Sequence, residues 1–434
     1  MARDGRTGTD TPATARGGRR HKDPGAPDPA LPRRLVVLFA LACGSAVANV
    51  YFAQPLLVTM GHDLSMSPAL VGAVVTLTQI GYGAGLFLLV PLGDVVARER
   101  LVVVQMLLLV VALVAVATAR TAAVLLAAMA AVGLLAVVTQ TLVAFAASLA
   151  GPARRGGVVG MVTSGVVIGI LLARTASGLM ADLAGWRSVY LASALLTALL
   201  VLVLHRTLPP SPTTPRRLRY SRLLRSTFTL FATERLFRLR ALLGLLIFAA
   251  FSTLWSSVAL PLSEAPHSLS HTAIGAFGLV GAVGALAATA AGRLNDRGLS
   301  QRTTGIGLAL LTVSWLPLSF TRDSLWALAV GVILLDLAVQ AVHVTNQALV
   351  YELRPDAGSR LIGGYMIFYS IGSATGALAA TWLHALAGWG AVCALGAGIS
   401  CAAFLLWAFT RTGTEPRPRP PRAASGGTPT SPPS

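Results

Sequence analysis

Twelve apolar runs, each long enough to cross a bilayer, govern what this chain can fold into. They fall at 35–57, 69–91, 101–118, 122–148, 157–181, 187–205, 241–262, 272–291, 303–320, 324–350, 361–384 and 388–410. A spanning helix needs about 20 mostly apolar residues, and only helices or closed barrels satisfy every backbone polar group inside lipid. Runs of this length predict an all-α integral membrane protein with twelve transmembrane helices. Only 12% of the 434 residues are charged, against about 25% in soluble chains, so most of the surface must face lipid.

The net charge is +18, and Lys22 is the only lysine. A nucleic-acid binder would gather that charge on one face of a fold. Here it is spread through short loops, so no nucleic-acid partner is expected; the partners are lipid, protons and a small solute. The charge instead sets topology. With the N-terminus inside, thirty of the 34 basic residues lie on cytoplasmic segments, and only Arg120, Arg187 and Arg322 lie outside. Basic loops stay in the cytoplasm, so both termini are expected there, in a multi-pass protein of the cell membrane.

Residues 1–34 and 411–434 read as disordered cytoplasmic tails from their Pro, Gly, Arg and Ser content. Arg19-Arg20 is not read as an export signal, because the apolar run that follows is too long and many more come after it. Between bundles 35–205 and 241–410 lies a basic linker, 206–240, with Arg216, Arg217, Arg219, Arg222 and Arg225. It reads as a surface stretch on the inner leaflet or as a partner-binding segment. Cys43, Cys393 and Cys401 sit in apolar runs without CxxC or metal spacing, and read as small buried hydrophobes. No metal site is expected.

The chain repeats itself. A shift of 203 residues lays Pro152 on Pro355, Gly160 on Gly363, Ile168-Gly169 on Ile371-Gly372, and Leu183-Ala184-Gly185-Trp186 on Leu386-Ala387-Gly388-Trp389. With Ala176/Ala379 and Val189/Val392 there are ten identities over 152–189. One residue of slippage lays Leu92-x-Asp94 on Leu294-x-Asp296 and Arg100 on Arg302. The expected fold is therefore two pseudo-symmetric six-helix bundles joined by the basic linker.

Two six-helix halves, each with an acidic-basic loop after its second helix, resemble the major facilitator superfamily of repeat-built transporters. The resemblance covers roughly residues 35–410. Loop "PLGDVVARER" (Pro91–Arg100) resembles that superfamily's G-x-L-a-D-R-x-G-R-R signature, with Val90, Val95 and Ala97 replacing the first Gly, the first Arg and the second Gly. Its second copy, "GRLNDRG" (Gly292–Gly298), keeps the first Gly and the first Arg and ends on a glycine one position early. The resemblance implies a conformational latch of Gly93, Asp94, Arg98, Arg100, Asp296 and Arg297. Asp94 would meet the N-terminus of helix 11, near Ser359–Gly363, whose free N–H groups attract an anion. Arg98 and Arg100 otherwise serve topology alone.

Helix 5 carries Gly160, Gly169, Arg174 and Gly178 in a spacing that resembles the G-x8-G-x3-G-P-x2-G-G signature of drug–proton antiporters. Ala173-Arg174 replaces Gly-Pro, and Ser177 replaces one Gly. Small residues on one stripe let helices approach closely; without the proline the antiporter kink is in doubt. The stretches "NVYFAQPLL" (Asn49–Leu57) and "TLTQIGYGAGLFLLVPLGD" (Thr76–Asp94) also resemble bacterial exporters of the nucleoside and drug efflux branch.

Arg174 itself is expensive: a guanidinium near the bilayer centre costs about 3 kcal/mol even on insertion scales. It either snorkels toward the outer surface or faces a solvated cavity or buried partner. Among sixteen acidic residues only Asp336 lies well inside a span. Helix 10 spaces Asp336, Gln340, His343 and Gln347 at i, i+4, i+7 and i+11, one polar face. Asp336 and His343 read as proton carriers, since desolvation raises the pKa of a carboxylate and an imidazole titrates near neutrality, or else as helix–helix hydrogen bonders.

The resemblance makes helices 1, 4, 7 and 10 the cavity lining. The candidate substrate-binding residues are Asn49, Gln54, Gln79, Gln140, Arg174, Trp255, Gln340, His343, Gln347, Tyr365 and Tyr369. No HExxH, GxSxG or Walker loop appears, so neither an enzyme nor ATP-driven transport is expected, and no cofactor beyond the proton gradient. The leading reading is a monomeric secondary transporter that exports a small organic molecule or drug by alternating access and proton exchange. A proton-symport importer of a sugar, nucleoside or organic acid is the alternative, and a membrane sensor or scaffold the reading from a different class.

Overall fold

The computed structural model describes residues 31–150, 154–210, 220, 224, 231–281, 290–295, 297–353 and 358–411. Both tails and most of the linker lie outside them. Every element among the described residues is helical. Helix α1 is Arg33–Ala48, followed by the 3-10 turn Gln54–Leu56 and a short surface helix, Leu57–Asp63. Helix α2 is Pro68–Leu88, ending in the 3-10 turn Val90–Asp94. Then come α3 (Arg98–Ala117), α4 (Ala122–Ala136 and Val138–Leu149), α5 (Arg155–Ala184) and α6 (Trp186–Thr207).

The second half repeats the order with α7 (Arg235–Trp255, then Ala259–Ser263) and α8 (His271–Val280, resuming at 290–295). It continues with α9 (Ser300–Val313 and Trp315–Ser319) and α10 (Leu325–Leu353). The unbroken assignment Gly358–Thr410 divides at Gly388 into α11 and α12. Eight helical stretches are long and apolar enough to cross a membrane, one of them covering both α11 and α12. The number is below twelve because α1 and α9 are broken into short pieces and α8 is only partly described. Several breaks coincide with Pro55, Pro91, Pro261 and Pro317, since proline removes a backbone donor. At the α7 break the Ser257 hydroxyl also donates back to the Thr253 carbonyl at 2.6 Å, which bends helices.

The repeat read from the sequence appears in the packing. In the first half α5 lies on α1: a Cβ at Gly165 or Gly169 would strike the backbone of Ala40 or Gly44. In the second half α11 lies on α7 in the same way, with Gly372 and Gly376 against the backbone of Leu245 and Ala249. The halves join through α2 against α11 and α5 against α8, two contacts exchanged by the pseudo-two-fold. The repeated Ala-Gly-Trp has a backbone cause. Gly185 and Gly388 hold φ of 80° and 73° between consecutive helices, a region that costs other L-residues about 1–2 kcal/mol. Large side chains such as Leu172, Leu183, Trp326 and Phe409 point outward, which suits a surface solvated by lipid.

Candidate functional site

The charge on α5 is inside the protein. Arg174 is 3% exposed; its backbone carbonyl presses on Gly275 of α8 and its stem on Gly278, each leaving room that a Cβ would fill. Its Nε donates to Gln54 Oε1 at 2.6 Å. The guanidinium carbon stands 4.0 Å over the Trp255 ring, 5.1 Å from Tyr51 and 5.7 Å from Phe251. A desolvated stack of this kind is worth about 2 kcal/mol, which with the Gln54 bond offsets much of the cost of burial. Among the described residues the buried Arg174 Nη2 has no hydrogen-bond partner.

Asp336 on α10 is 7% exposed. Trp255 Nε1 donates to its Oδ1 at 3.1 Å, and Gly281 of α8 leaves space for its carboxyl group. Among the described residues no ion pair joins Arg174 to Asp336. Trp255 stands between them, giving its ring face to the cation and its N–H to the anion. Three glycines of α8 at positions 275, 278 and 281 thus seat an arginine from the first half and an aspartate from the second.

Aromatic residues close the centre. Tyr51, in the turn after α1, and Tyr369 of α11 share a hydrogen bond of 2.7 Å across the halves. Phe248 packs on Tyr369 with ring centroids 4.0 Å apart, and Tyr82 lies edge-on to Tyr369. His343 Nδ1 is 3.0 Å from the Tyr365 hydroxyl. Gln340, His343 and Gln347 form a half-buried stripe on α10 below the buried Asp336. Gln347 Nε2 is 3.8 Å from Met366 Sδ. Gln140 on α4 is also half-buried. Gln79 is buried on α2, and its Oε1 has no partner among the described residues.

Asn49 is placed differently from the other candidates. Its Oδ1 accepts from Ser193 of α6 at 2.6 Å, and its Nδ2 donates to the Ser45 and Ala46 carbonyls, so it ties α1 to α6 inside the first half. Gly160 likewise has no neighbour that a Cβ would meet, whereas Gly169 and Gly178 press on the backbones of Gly44 and His271. Of the loop latch, Arg98 donates to the carbonyls of Gly93 (3.1 Å) and Ala144 (3.2 Å), and Arg100 and Arg297 are exposed. The Asp94 side chain, Asp296, and the side chains of Ser359 and its neighbours lie outside the described residues.

The end of the bundle away from the termini, the far face, is pinned shut. Asp182 at the end of α5 crosses to the start of α8. It accepts from Thr272 N (2.8 Å), Thr272 Oγ1 (2.6 Å) and His271 N (3.2 Å), and its Oδ1 is 2.6 Å from His271 Nδ1. His271 Nε2 in turn meets Thr59 Oγ1 at 2.5 Å. The surface helix Leu57–Asp63 also packs on Ala259–Ser263 of the second half. Toward the tail side, Gln140 and Ala144 on α4 and Gln340, His343 and Gln347 on α10 keep exposed surface. The halves are therefore bridged on the far face, while these α4 and α10 residues keep some exposed surface toward the tail side.

One buried charge escapes sequence reasoning. Arg240, counted there with the linker, is 2% exposed. Its Nη1 donates to Thr304 Oγ1 (3.3 Å) and Asn346 Oδ1 (3.2 Å). Being the sixth residue of α7 and following Arg235 and Arg238 closely, it had no local signal to set it apart.

Helices in two related halves, meeting at buried glycine seams around a sparsely charged centre, define the class of polytopic membrane transporters. The chain belongs to the Major Facilitator Superfamily, whose family profile matches residues 38–297 and 240–433. It is 46% identical over 383 residues to a putative uncharacterized transporter, YgaY, of Escherichia coli K12, covering 88% of this chain and 96% of that one. It is 31% identical over 425 residues to the probable transporter SCO4007 of Streptomyces coelicolor, covering 94% of each. In fold it is similar to a bacterial homologue of the human lysosomal transporter Spinster (TM-score 0.71, 14% identity, 88% and 97% covered). It is also similar to the nucleoside transporter NupG (TM-score 0.69, 15% identity, 86% and 99% covered) and to the human organic anion transporter MFSD10 (TM-score 0.65, 18% identity, 86% and 99% covered).

Proposed function

We propose that this transporter exports a small organic solute across the cytoplasmic membrane in exchange for protons, with both termini in the cytoplasm. On that orientation the bridged far face is the outer one, the arrangement a monomeric exporter needs while it loads from the cytoplasm. The observation that carries the reading is the Arg174–Trp255–Asp336 cluster. One carboxylate and one guanidinium are buried at the junction of the halves without a direct ion pair, so the carboxylate is available to a proton or to a solute.

The coupling follows from electrostatics. A cation entering beside Asp336 competes with a proton for the same charge, so each displaces the other, and exchange results. The aromatic rings of Tyr51, Phe248, Phe251 and Tyr369 suit the apolar body of a neutral or cationic amphipathic solute, and Gln140, Gln340, His343, Gln347 and Tyr365 supply hydrogen bonds on the cytoplasmic side. His343 is the second proton group. A competing reading rests on the unpartnered Arg174 Nη2. An organic anion held there would favour protonation of Asp336, so anion and proton would travel together, the signature of a symporter and hence of an importer.

Expression in a strain lacking its main efflux pumps, scored against a compound panel with and without a protonophore, tests the proposal. Export predicts resistance to one or more cationic or neutral amphipathic compounds that the protonophore removes. Counterflow in oriented vesicles that shows solute and proton moving in the same direction would replace exchange with symport.

A further inference from the structure

We propose that the cavity on the far face is a second solute site, separate from the central cluster, and that it takes a zwitterion of amino-acid type. The cavity measures about 710 Å³, within the roughly 300–1,000 Å³ range of small-molecule sites. It lies between the halves. His62 and Met66 come from beyond α1, Leu260 and Glu264 from the end of α7, Arg322 from the α9–α10 loop and His384 from α11.

Its polar groups come in both signs. Arg322 Nη2 and Glu264 Oε2 are 2.9 Å apart, with side chains 49% and 53% exposed. One N–H of Arg322 meets Glu264 in this bond, out of the five a guanidinium carries, and Glu264 has a second carboxylate oxygen. His384 is a half-buried residue of the cavity wall, and its buried Nε2 has no hydrogen-bond partner among the described residues. A lone anion would leave Glu264 facing a like charge, and a lone cation would leave Arg322 so. A zwitterion keeps the site neutral: its carboxylate accepts from Arg322 and from His384 Nε2–H, and its ammonium donates to Glu264. Its side chain then lies on Met66 and Leu260. Because the lining comes from both halves, an occupant holds the far face closed, whichever way the central site transports.

The test uses the full chain in lipid nanodiscs and three probes: L-phenylalanine, benzoate with the negative pole alone, and phenethylamine with the positive pole alone. Calorimetry is expected to show saturable binding of phenylalanine at least about tenfold tighter than either single-pole probe, a difference of about 1.4 kcal/mol. Arg322→Gln and His384→Phe should each weaken it by about tenfold or more with an unchanged melting temperature, and Arg174→Met should leave it as in the parent. No saturable phenylalanine binding, equal binding of all three probes, or loss of binding in Arg174→Met with retention in Arg322→Gln would overturn the proposal.

Discussion

Asp182→Asn should unlatch the far face. The carboxylate takes four contacts from α8, two on each oxygen: His271 Nδ1 and His271 N on Oδ1, Thr272 N and Thr272 Oγ1 on Oδ2. An asparagine side chain keeps one acceptor oxygen and presents an NH2 where the other stood, so two donors lose their acceptor. Hydrogen bonds to charged groups contribute about 1.5–3 kcal/mol each. With the carboxylate side chain 26% exposed, water replaces part of that, and about 1 kcal/mol per bond is a fair figure. A loss of about 2 kcal/mol moves the closed-to-open ratio of the far face by roughly 30-fold. Spin labels at Arg120→Cys and Asp323→Cys, exposed far-face positions in opposite halves, report that distance by pulsed electron resonance. The population with a long separation should grow strongly in Asp182→Asn. A distance distribution unchanged from the parent would refute the latch.

Other perturbations separate the parts of the account. Gly278→Val should abolish transport with normal membrane abundance, because a Cβ there already meets Arg174 Cβ at 3.0 Å and Cδ at 3.2 Å; Gly160→Ala, with open space around it, should transport like the parent. Arg174→Lys keeps the charge but loses the planar stack on Trp255 and the Nε bond to Gln54, and should reduce uptake or efflux in the resistance assay by about tenfold or more. Gly388→Ala should lower the melting temperature, reflecting about 1–2 kcal/mol of strain at φ 73°. The Asp63 carboxyl is held below its usual range by the Trp186 N–H and then by Arg187. Its folded pKa is depressed, so its contribution is full above the unfolded value near 3.9 and is lost as pH falls through the folded value. Melting curves should therefore show no Asp63 effect between pH 5 and 7, and Asp63→Asn should remove any acid sensitivity this contact contributes below about pH 4.

The architecture was legible in the sequence because lipid forces it: apolar runs had to be helices, and the 203-residue register reappears as paired glycine seams and paired Gly-Trp turns. Arg174 and Asp336 were legible because a charge inside an apolar run has few places to go. Their relation was not. That Trp255 stands between them depends on where α7, α5 and α10 meet, which helical periodicity does not encode. Asn49 looked like a cavity residue, but Ser193 sits within reach on α6, and a local bond outcompetes a distant solvated one. Arg240 sat on the wrong side of an assumed span boundary, and boundaries are where hydropathy is weakest. Asp182 and His271 stand one residue outside the apolar runs 157–181 and 272–291, at helix ends where pairing depends on geometry that periodicity does not encode.

The claim on which most depends is that Asp336 exchanges its proton for solute. Proteoliposomes loaded with a pH-sensitive dye and given a gradient of a compound identified in the resistance screen measure it directly. The parent protein should drive protons against the flow of compound, and Asp336→Asn should still exchange labelled for unlabelled compound while moving none. Proton movement in Asp336→Asn equal to that of the parent would contradict the account.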